Sequence, residues 1–493
     1  MILAIDQGTT GTACLVFDLD GNPLARAYRE FTQHFPRPGW VEHDGQEIWQ
    51  VTHAVAGEAL EAAGVRRGEL EAVGITNQRE SVLAWDPTDG EPLTPVLVWQ
   101  DRRTAERCEE LRAAGHEQLV RERTGLVLDP YFSATKIEWL LQEVDRLAAR
   151  AADGRALFGT IDAWLIWQLS GEHACDPSNA SRTLLYDIRR GCWDPELLEL
   201  FGAIPQRSLP RVSPSAGEFG RTLPERLHGH AASLCGVAGD QQASLFGQGC
   251  TAAGLGKNTY GTGSFVLINA GTVRPPPREG LLTTVAWGIG DRVDYALEAA
   301  IFCTGAAVQW LRDGLGVISR AEESEQLARS LEGNDGVYFV PALTGLGSPH
   351  WDPHARGAIH GLTRGSGRAH LARAALEAIA YQTVDAVRAM EAAGAPALAE
   401  LRADGGASAN SWLMQFQADL LGVPVLVAEV AESTALGAAQ LAAVGAGLAT
   451  LDAQRSTAAV RARYEPQMPE LQRAGLLSGW HEALARVISD PRR

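Results

Sequence analysis

Two short runs of glycine and threonine have the residue types that hold phosphate groups. The first is residues 6–12 (DQGTTGT), which follow an apolar run, and the second is residues 257–263 (KNTYGTG), which lead into another. Glycine lets the main chain approach a phosphate closely, while backbone N–H groups and threonine hydroxyls donate hydrogen bonds to it. Asp6, at the end of the first apolar run, has the carboxylate that Mg²⁺ prefers, usually through water. Together the two runs predict a nucleotide site.

A third run, residues 239–242 (GDQQ), offers a carboxylate that could act on a hydroxyl group. Asp240 follows an apolar segment near the middle of the chain, at an apparent strand end. A carboxylate beside a reacting hydroxyl accepts its proton while the bond to phosphorus forms. An aspartate in this position could also cap a helix. The GDQQ setting favours the catalytic interpretation.

The standard lysine-based phosphate sites are missing from the sequence. The chain has only two lysines, Lys136 and Lys257, and arginine supplies the other positive side chains. Lys257 follows a glycine as in a P-loop, but Asn258 takes the place of the serine or threonine that binds Mg²⁺. There is no protein-kinase H-R-D loop and no G-x-G-x-x-G, G-x-S-x-G or H-E-x-x-H motif. Main-chain turns therefore remain the predicted phosphate site.

Nine motifs in chain order cover nearly the whole chain. They are residues 4–10 (AIDQGTT), 38–43 (PGWVEH), 74–80 (GITNQRE), 98–103 (VWQDRR), 129–132 (DPYF), 239–242 (GDQQ), 258–263 (NTYGTG), 346–353 (LGSPHWDP) and 434–439 (TALGAA). Together they resemble the glycerol kinase family, within the superfamily of sugar and polyol kinases whose lobes share the ribonuclease-H/actin fold. The resemblance implies an α/β protein of two actin-like lobes with its active site in the cleft between them.

For the acceptor, the resemblance implies that five side chains hydrogen-bond the three hydroxyls of glycerol and that two aromatic rings pack on its carbon chain. The hydrogen-bonding residues are Arg79, Glu80, Tyr131, Asp240 and Gln241, and the rings are Trp99 and Phe265. Because a triol offers three hydroxyls and little apolar area, oriented donors and acceptors must discriminate it from other compounds. The resemblance implies that Asp240 is the general base and that Glu80 fixes the orientation of the acceptor.

For the nucleotide, the resemblance implies ATP, with Mg²⁺ held by two aspartates. The nucleotide contacts are Thr9, Thr10 and Gly11 in the first turn, Thr262 in the second, and Gly305, Gln309, Gly406 and Asn410 further on; the metal contacts are Asp6 and Asp240. One departure concerns charge. At the position of Ala13, well-known members have an arginine that reaches the nucleotide phosphates. In this chain that charge is absent or supplied elsewhere.

The elements that must position these residues alternate between strands and helices, which indicates α/β lobes. Two strand–turn–strand units begin the two halves and suggest a duplicated architecture with a cleft. Further strands are predicted at 72–76, 81–85, 96–99, 337–340, 401–403 and 425–428. Helices are predicted after a cap at Asp44 and at 102–114, 134–144, 300–311, 368–392, 409–421 and 434–443. We expect residues 1–248 to form the glycerol-binding lobe and residues 249–493 the nucleotide-binding lobe.

The bulk composition fits an enzyme of two or more domains. The chain has 493 residues, more than one core usually covers, and 45% of them are hydrophobic. A formal net charge of −17 disfavours a general nucleic-acid or anionic-membrane surface. Seven scattered cysteines without a C-x-x-C pair favour a reducing compartment over disulfides or zinc. With neither a basic leader before Asp6 nor a long apolar span, we expect a cytoplasmic protein that does not insert in membranes.

Two other functions stay open at this point. The nearest is a kinase for another small polyol or ketose of the same superfamily, although the Arg79-Glu80 pair and Tyr131 favour glycerol. The other is an actin- or chaperone-like nucleotide switch, which uses similar hairpins but needs no polyol pocket. We also expect a homo-oligomer, whose size the residues do not fix.

Overall fold

The computed structural model describes residues 1–429, 432–451 and 459–489. Its strands are β1 (Ile2–Gln7), β2 (Gly11–Phe17), β3 (Pro23–Glu30), β4 (Glu42–His43), β5 (Ala72–Asn77), β6 (Val82–Trp85), β7 (Val96–Leu97), β8 (Leu157–Thr160), β9 (Ala174–Cys175), β10 (Tyr186–Asp187), β11 (Cys192–Trp193), β12 (Arg211–Val212), β13 (Ala216–Arg221), β14 (Ser233–Gly239), β15 (Leu255–Tyr260), β16 (Ser264–Gly271), β17 (Leu282–Ile289), β18 (Arg292–Ile301), β19 (Tyr338–Val340), β20 (Ala358–His360), β21 (Glu400–Asp404), β22 (Val425–Ala428) and β23 (Val460–Tyr464).

The helices alternate with these strands in both halves of the chain. They are α1 (Gly45–Ala62), α2 (Ala105–Ala113), α3 (Glu117–Thr124), α4 (Ala134–Glu143), α5 (Leu147–Ala152), α6 (Ile161–Ser170), α7 (Pro177–Ala180), α8 (Pro195–Leu200), α9 (Asp240–Gly247), α10 (Gly305–Gln309), α11 (Glu323–Arg329), α12 (Arg368–Ala392), α13 (Ser411–Leu421), α14 (Ser433–Gly445) and α15 (Glu470–Ala485).

Two five-stranded units of the same order make up most of a thirteen-stranded sheet. The first has the order β3-β2-β1-β5-β14, in which β1 to β3 are antiparallel and β5 and β14 run parallel to β1. The second has the order β18-β16-β15-β21-β22 with the same pattern of directions. The units join through β13 and β17, where Ala216 pairs with Ile289. The predicted pair of α/β lobes, each beginning with a hairpin, is confirmed.

The first strand is apolar along most of its length because helices cover both of its faces. Leu3 and Ile5 share a core cluster with residues of α1, whereas Ile2 and Ala4 pack with residues of α14 on the other face. A strand that is covered on both faces needs a nearly continuous apolar run rather than alternation. The apolar run ends where the chain turns toward the cleft, so the polar residues that follow it lie at the sheet edge.

Helix α14 comes from the second half of the sequence but packs on the first unit, against α9 and strands β1, β5 and β14. The approach is close, because a Cβ atom at Gly437 would meet the carbonyl oxygen of Ala243. In the same way, a Cβ atom at Gly74 would meet the carbonyl oxygen of Ala438. Small residues allow such backbone contact. The alanine- and glycine-rich run is therefore a helix that ties the two halves together.

Most predicted elements are found within a few residues of their expected bounds. Asp44 caps α1 by accepting hydrogen bonds from two backbone N–H groups of the first turn. The helix predicted at 300–311 is wrong at its start, because β18 continues to Ile301 and α10 begins only at Gly305. Ala300 pairs with Phe265 of β16. Pairing within a buried sheet outweighs the helix propensity of the alanines at this point.

The sequence predicts free cysteines and no membrane-spanning segment. All seven cysteines are free thiols. Within the three described ranges, no helix combines the length and apolarity that crossing a membrane requires. The boundary that we expect between residues 248 and 249 lies in the segment that joins α9 to β15, and the division of roles between the two lobes stays a prediction.

Candidate active site

The predicted acceptor residues gather where three parallel strands of the first unit end side by side. Gln7, Asn77 and Gly239 are register partners at the ends of β1, β5 and β14. Asp240 follows β14 directly, and Arg79 lies just beyond β5. Ligands of open α/β sheets bind outside the carboxyl ends of the strands. This edge of the first unit is therefore the candidate site.

Asp240 is held in place and is still accessible. It is the first residue of α9, where the helix terminus favours negative charge. Its Oδ1 atom accepts a hydrogen bond of 2.7 Å from the backbone N–H of Gln241 and lies 3.2 Å from Nε of Arg79. The side chain is 35% exposed. A carboxylate with one oxygen held by the protein and an open side can receive a proton from a bound hydroxyl.

Arg79 lies at the centre of the site and is buried. Its Nη1 and Nη2 atoms contact the two carboxylate oxygens of Glu298 at 2.5 and 3.1 Å, and Nη2 donates to the hydroxyl of Tyr131 at 3.3 Å. Burial would lower the pKa of Arg79, but the carboxylates of Glu298 and Glu80 outweigh it and keep that pKa raised. The guanidinium is therefore a fixed, permanently charged donor that orients the groups around it.

Glu80 is fixed by a second buried arginine that the sequence analysis missed. Nε of Arg182 donates to Glu80 Oε1 at 2.6 Å, and its Nη2 donates to Glu298 Oε1 at 3.1 Å. The backbone of Glu80 has φ +58, a left-handed conformation that a residue with a side chain adopts at a cost. Its carbonyl oxygen accepts a hydrogen bond of 2.8 Å from Ser133. A strained residue whose side chain and backbone are both held is typical of a binding site.

Glu298 completes an alternating network of two carboxylates and two guanidiniums. Burial alone would raise its pKa, but Arg182 and Arg79 outweigh that effect and hold the pKa of Glu298 at about 2. The sequence offered one signal for this residue, since a glutamate stands in the middle of the apolar strand β18, where an unpaired charge would be too costly. For Arg182 no comparable local signal exists.

Trp99, predicted to pack on the acceptor, contacts both Tyr131, predicted to hydrogen-bond it, and the first hairpin. The rings of Trp99 and Tyr131 meet edge to face, with centroids 5.5 Å apart. Nε1 of Trp99 donates to Oγ1 of Thr9 at 2.9 Å. The segment of Tyr131 is held by Lys136, whose buried ammonium donates to the carbonyl oxygens of Pro130 and Tyr131. The structure therefore joins a predicted acceptor residue directly to a predicted phosphate residue.

Gln241 and Phe265 meet the second unit of the sheet. Lys257 of β15 donates to Oε1 of Gln241 and, at 2.7 Å, to Oγ1 of Thr259. Phe265 is the register partner of Thr259 and packs with the core around Phe246. Phe265 therefore lies beside the contacts of Lys257, on a different element from the aromatic pair of Trp99 and Tyr131.

The two glycine- and threonine-rich runs are hairpin turns, as predicted. Each is closed by a backbone hydrogen bond of 2.9 Å, from Gly8 N to Gly11 O and from Gly261 N to Gly263 O. Beside the second turn, Gly305 N donates to Gly261 O at 3.0 Å, so the start of α10 is tied to it. Both turns leave threonine side chains exposed to solvent. Exposed hydroxyls and main-chain donors are what a phosphate site of this type needs.

The remaining nucleotide residues flank the second hairpin. Gly405 has φ +83, and a Cβ atom there would meet the backbone of Tyr260 at 2.5 Å, so this turn sits against β15. Next to it, Gly406 is exposed. Asn410 caps α13, since its side chain accepts a hydrogen bond from Leu413 N at 2.9 Å. The structure thus brings Gly406 and Gly305 to opposite sides of one hairpin.

Asp6 is the penultimate residue of β1, and its surroundings shift the pKa of its carboxyl group. Burial raises the pKa of Asp6 to about 7, with Asp240 and Glu432 adding to the rise and Arg26 opposing it. Arg26 lies on β3, and its Nε is 2.8 Å from Glu432, which directly precedes α14. Ala13 is the register partner of Asp6. The positive charge of Arg26 therefore acts on the end of β1, where the side chain of Ala13 carries no charge.

Comparisons with known proteins agree with this arrangement. The family model described as "FGGY family of carbohydrate kinases, N-terminal domain" matches residues 1–247, and its C-terminal counterpart matches residues 256–446. A glycerol kinase of Dechloromonas aromatica (strain RCB) is 54% identical and covers 99% of this chain and 97% of its own. A glycerol kinase of Citrifermentans bemidjiense is 55% identical, with 98% of each chain covered.

A solved structure shares the whole architecture. The crystal structure of Plasmodium falciparum glycerol kinase with ADP superimposes with a TM-score of 0.95 at 34% sequence identity. The similarity covers 99% of this chain and 98% of that chain. The likeness therefore includes both units of the sheet.

Proposed function

This chain belongs to the FGGY family of carbohydrate kinases, and from that premise we propose that it transfers the γ-phosphoryl group of ATP to glycerol. The products are sn-glycerol 3-phosphate and ADP. The observation that carries the proposal is the position of Asp240, whose partly exposed carboxylate stands beside the buried guanidinium of Arg79. Relatives that are 54% and 55% identical over nearly the whole chain are glycerol kinases.

The acceptor site matches a small triol in its balance of groups. Arg79, Tyr131 and Gln241 offer hydrogen-bond donors, while Glu80 and Asp240 offer carboxylate acceptors. Trp99 offers an apolar edge for three carbon atoms. Because donors and acceptors outnumber apolar contacts, a site of this kind rejects compounds that lack a hydroxyl at one of its positions.

Asp240 acts as the general base in the proposed reaction. The terminal hydroxyl oxygen of glycerol forms a bond to the γ-phosphorus while the bond from that phosphorus to the β–γ bridging oxygen breaks, and ADP leaves. The hydroxyl proton passes to the carboxylate of Asp240. Arg79 orients that carboxylate through the contact at 3.2 Å, and Glu80 orients the acceptor.

Asp6 and Asp240 fit the requirements of Mg²⁺. Asp240 is among the charges that raise the pKa of Asp6, so the two carboxylates lie within reach of each other's field. Among the described residues, no group of three or more histidine, cysteine or acidic side chains forms a metal cage. Two carboxylates suit Mg²⁺, which keeps most of its waters and also binds substrate phosphates. When bound, the ion would neutralise phosphate charge.

The hairpin turns are proposed to hold the phosphates and the second unit the rest of the nucleotide. Thr9, Thr10 and Gly11 supply donors from the first turn, and Thr262 supplies them from the second. Gly305, Gln309, Gly406 and Asn410 surround the remainder of ATP. The seven free thiols support a reducing, cytoplasmic location, and we further propose a homo-oligomer.

An acceptor panel tests the proposal. ADP release is measured with the purified full-length protein, MgATP and each of glycerol, dihydroxyacetone, xylulose, ribulose and gluconate. We expect glycerol to give the highest kcat/KM. A clearly higher kcat/KM for a pentulose would contradict the substrate assignment. ATP hydrolysis at the same rate with and without every acceptor would indicate a nucleotide switch.

A further inference from the structure

The two lysines of this sequence occupy unusual positions. Arginine provides every other basic side chain, and both lysines are fully buried. Burying an ammonium group is costly unless it is hydrogen-bonded and balanced by charge. Both ammonium groups support residues of the acceptor site, since Lys136 bonds the segment of Tyr131 and Lys257 bonds Gln241. Each of the two lysines therefore holds a residue or segment of the proposed acceptor site through hydrogen bonds to oxygen atoms.

We propose that Lys257 is a positioning residue that fixes the side-chain amide of Gln241 so that its N–H group faces the acceptor. This inference rests on the proposed phosphotransfer and concerns the substrate contact of the same site. Lys257 itself does not touch the acceptor in this proposal. It acts through Gln241.

The chemistry of the two side chains dictates the orientation. An amide carries one oxygen that accepts and one nitrogen that donates, whereas an ammonium group only donates. With Lys257 donating to Oε1, the amide of Gln241 cannot turn over without placing two donors against each other. Nε2 of Gln241 is therefore directed away from Lys257. An amide without such a partner would present its oxygen and its nitrogen to the acceptor in turn.

The ammonium group is itself fixed by its surroundings. Besides Gln241, it donates to Oγ1 of Thr259 at 2.7 Å, on the same strand. Burial lowers the pKa of Lys257, and the charges that oppose this are carboxylates, of which Asp404 has the largest effect and Asp240 the next. Thr259 and Asp404 are register partners on neighbouring strands. A cation with two defined hydrogen bonds and nearby carboxylates has one preferred position.

The contact also crosses from one half of the molecule to the other. Gln241 belongs to α9, beside the first unit, whereas Lys257 belongs to β15, the strand that leads into the second hairpin turn. The donor that recognises the acceptor is therefore oriented by the strand that presents Thr262 to the nucleotide. Recognition of the acceptor by Gln241 depends on β15 being in place.

A double-mutant cycle on the full-length enzyme tests the proposal. The variants are Lys257→Met, Gln241→Ala and the pair together, and the measured quantities are KM for the acceptor and KM for ATP. We expect Lys257→Met to raise the acceptor KM by about tenfold and to change the ATP KM by less than about twofold, as for the loss of one hydrogen bond. In the Gln241→Ala background, Lys257→Met should add less than about twofold to the acceptor KM.

Lys136→Met is the matched control, because it removes the other buried lysine from the same site. Its effect runs through Tyr131, so it should persist undiminished in the Gln241→Ala background. Gln241→Glu keeps an oxygen for Lys257 but removes the N–H group, and we expect it to raise the acceptor KM as much as Gln241→Ala does. Gln241 is partly exposed, so this variant tests the donor even where Lys257→Met unfolds the protein.

The outcomes separate this proposal from the proposed function. The cycle is run with whichever acceptor of the panel gives the highest kcat/KM. The positioning role of Lys257 is therefore tested even if glycerol is not the preferred acceptor. An equal effect of Lys257→Met with and without Gln241 would overturn the positioning role, as would a rise confined to the ATP KM. Full affinity for the acceptor in Gln241→Glu would overturn the claim that the amide donates.

Discussion

The proposed acceptor site and the hairpin turns of the proposed nucleotide site present polar groups to their ligands in different ways. Around the acceptor, the side chains of Arg79, Arg182, Glu80 and Glu298 are almost completely buried and bond one another. At the hairpins, by contrast, the donors are main-chain N–H groups and exposed hydroxyls. Near them, Arg26 forms an ion pair with Glu432, with 48% and 38% of these side chains exposed.

The contrast follows from the ligands. Glycerol is neutral, so its three hydroxyls are recognised only if donors and acceptors are fixed in advance at the right positions. ATP carries its own charge and a bound cation, for which main-chain donors and helix termini suffice. Removing one partner from a buried ion network leaves an uncompensated charge, whereas an exposed pair contributes little to stability. Changes on the acceptor side should therefore affect both stability and activity, and changes at the hairpins should affect ATP binding alone.

Asp240→Asn, on the acceptor side of the comparison, should have the largest effect on activity. The amide cannot take the proton of the hydroxyl, so kcat should fall by roughly 10²- to 10⁴-fold. Calorimetry should still detect ATP binding, because the phosphate donors of both hairpins are unchanged. Phosphotransfer at an unchanged rate would exclude Asp240 as the base.

Glu298→Gln should be the most destabilising change in the comparison. It leaves two buried guanidiniums with too little negative charge, so the free energy of unfolding in urea should fall by about 3–5 kcal/mol. Glu432→Gln, which breaks the exposed pair with Arg26, is the control and should cost less than about 1 kcal/mol. Equal losses for the two variants would remove the contrast between the regions.

The same carboxylate predicts how stability depends on acid. The pKa of Glu298 in the folded protein is about 2, below the ordinary glutamate value of 4.5, so Glu298 stabilises the fold fully above about pH 5. That contribution is lost as the pH falls through 4.5 toward 2, because the unfolded chain then binds the proton more readily. Urea titrations at pH 2.5 to 6 should show a smaller slope for Glu298→Gln than for the wild type.

Gly406→Ala should weaken ATP binding and leave the fold intact. Gly406 has no positive φ, and its added Cβ atom meets no described heavy atom within 4 Å beyond its chain neighbours. We expect the KM for ATP to rise by about tenfold at unchanged melting temperature. Gly405→Ala is the matched control, since its φ of +83 and its approach to Tyr260 should lower stability instead. A lowered melting temperature in Gly406→Ala would contradict the assignment.

Arg26→Gln should have the smallest effect. If this half-exposed cation supports the phosphates in place of a charge at Ala13, the KM for ATP should rise by about two- to fivefold, and less at high salt. The acceptor KM should stay the same. Insensitivity of the ATP KM to Arg26→Gln at low salt would show that the hairpins work without this charge.

The sequence predicted the parts of the molecule that depend on neighbouring residues. Both hairpins were predicted from a local pattern, in which a glycine- and threonine-rich turn separates two apolar runs. The cap at Asp44 was predicted from the residues next to it. The start of the helix expected at 300–311 was wrong because its first residues pair with β16, a contact that local propensity does not contain. The structure also explains why residue 11 is a glycine, which no motif shows. A Cβ atom at Gly11 would meet the hydroxyl of Tyr28 at 2.6 Å.

The network around the acceptor could be predicted only in part. Arg79 and Glu80 stand in a recognisable run, but the residues that hold them, Arg182 and Glu298, lie about 100 and 220 positions further along the chain. Their partners are chosen by the fold rather than by spacing. The absence of a P-loop pattern around Lys257 gives no sign of its contact with Gln241, a residue of the proposed acceptor site.

The packing of α14 on the first unit bears on how the protein is made. The strand β14 ends at Gly239 and α14 begins at Ser433, so 193 residues of chain lie between them. At roughly 5–20 residues per second, a ribosome needs roughly 10–40 s to synthesise that stretch. During this interval the apolar face of β1, β5 and β14 has no covering helix. The first lobe therefore becomes complete only after α14 has emerged from the exit tunnel and packed on this face.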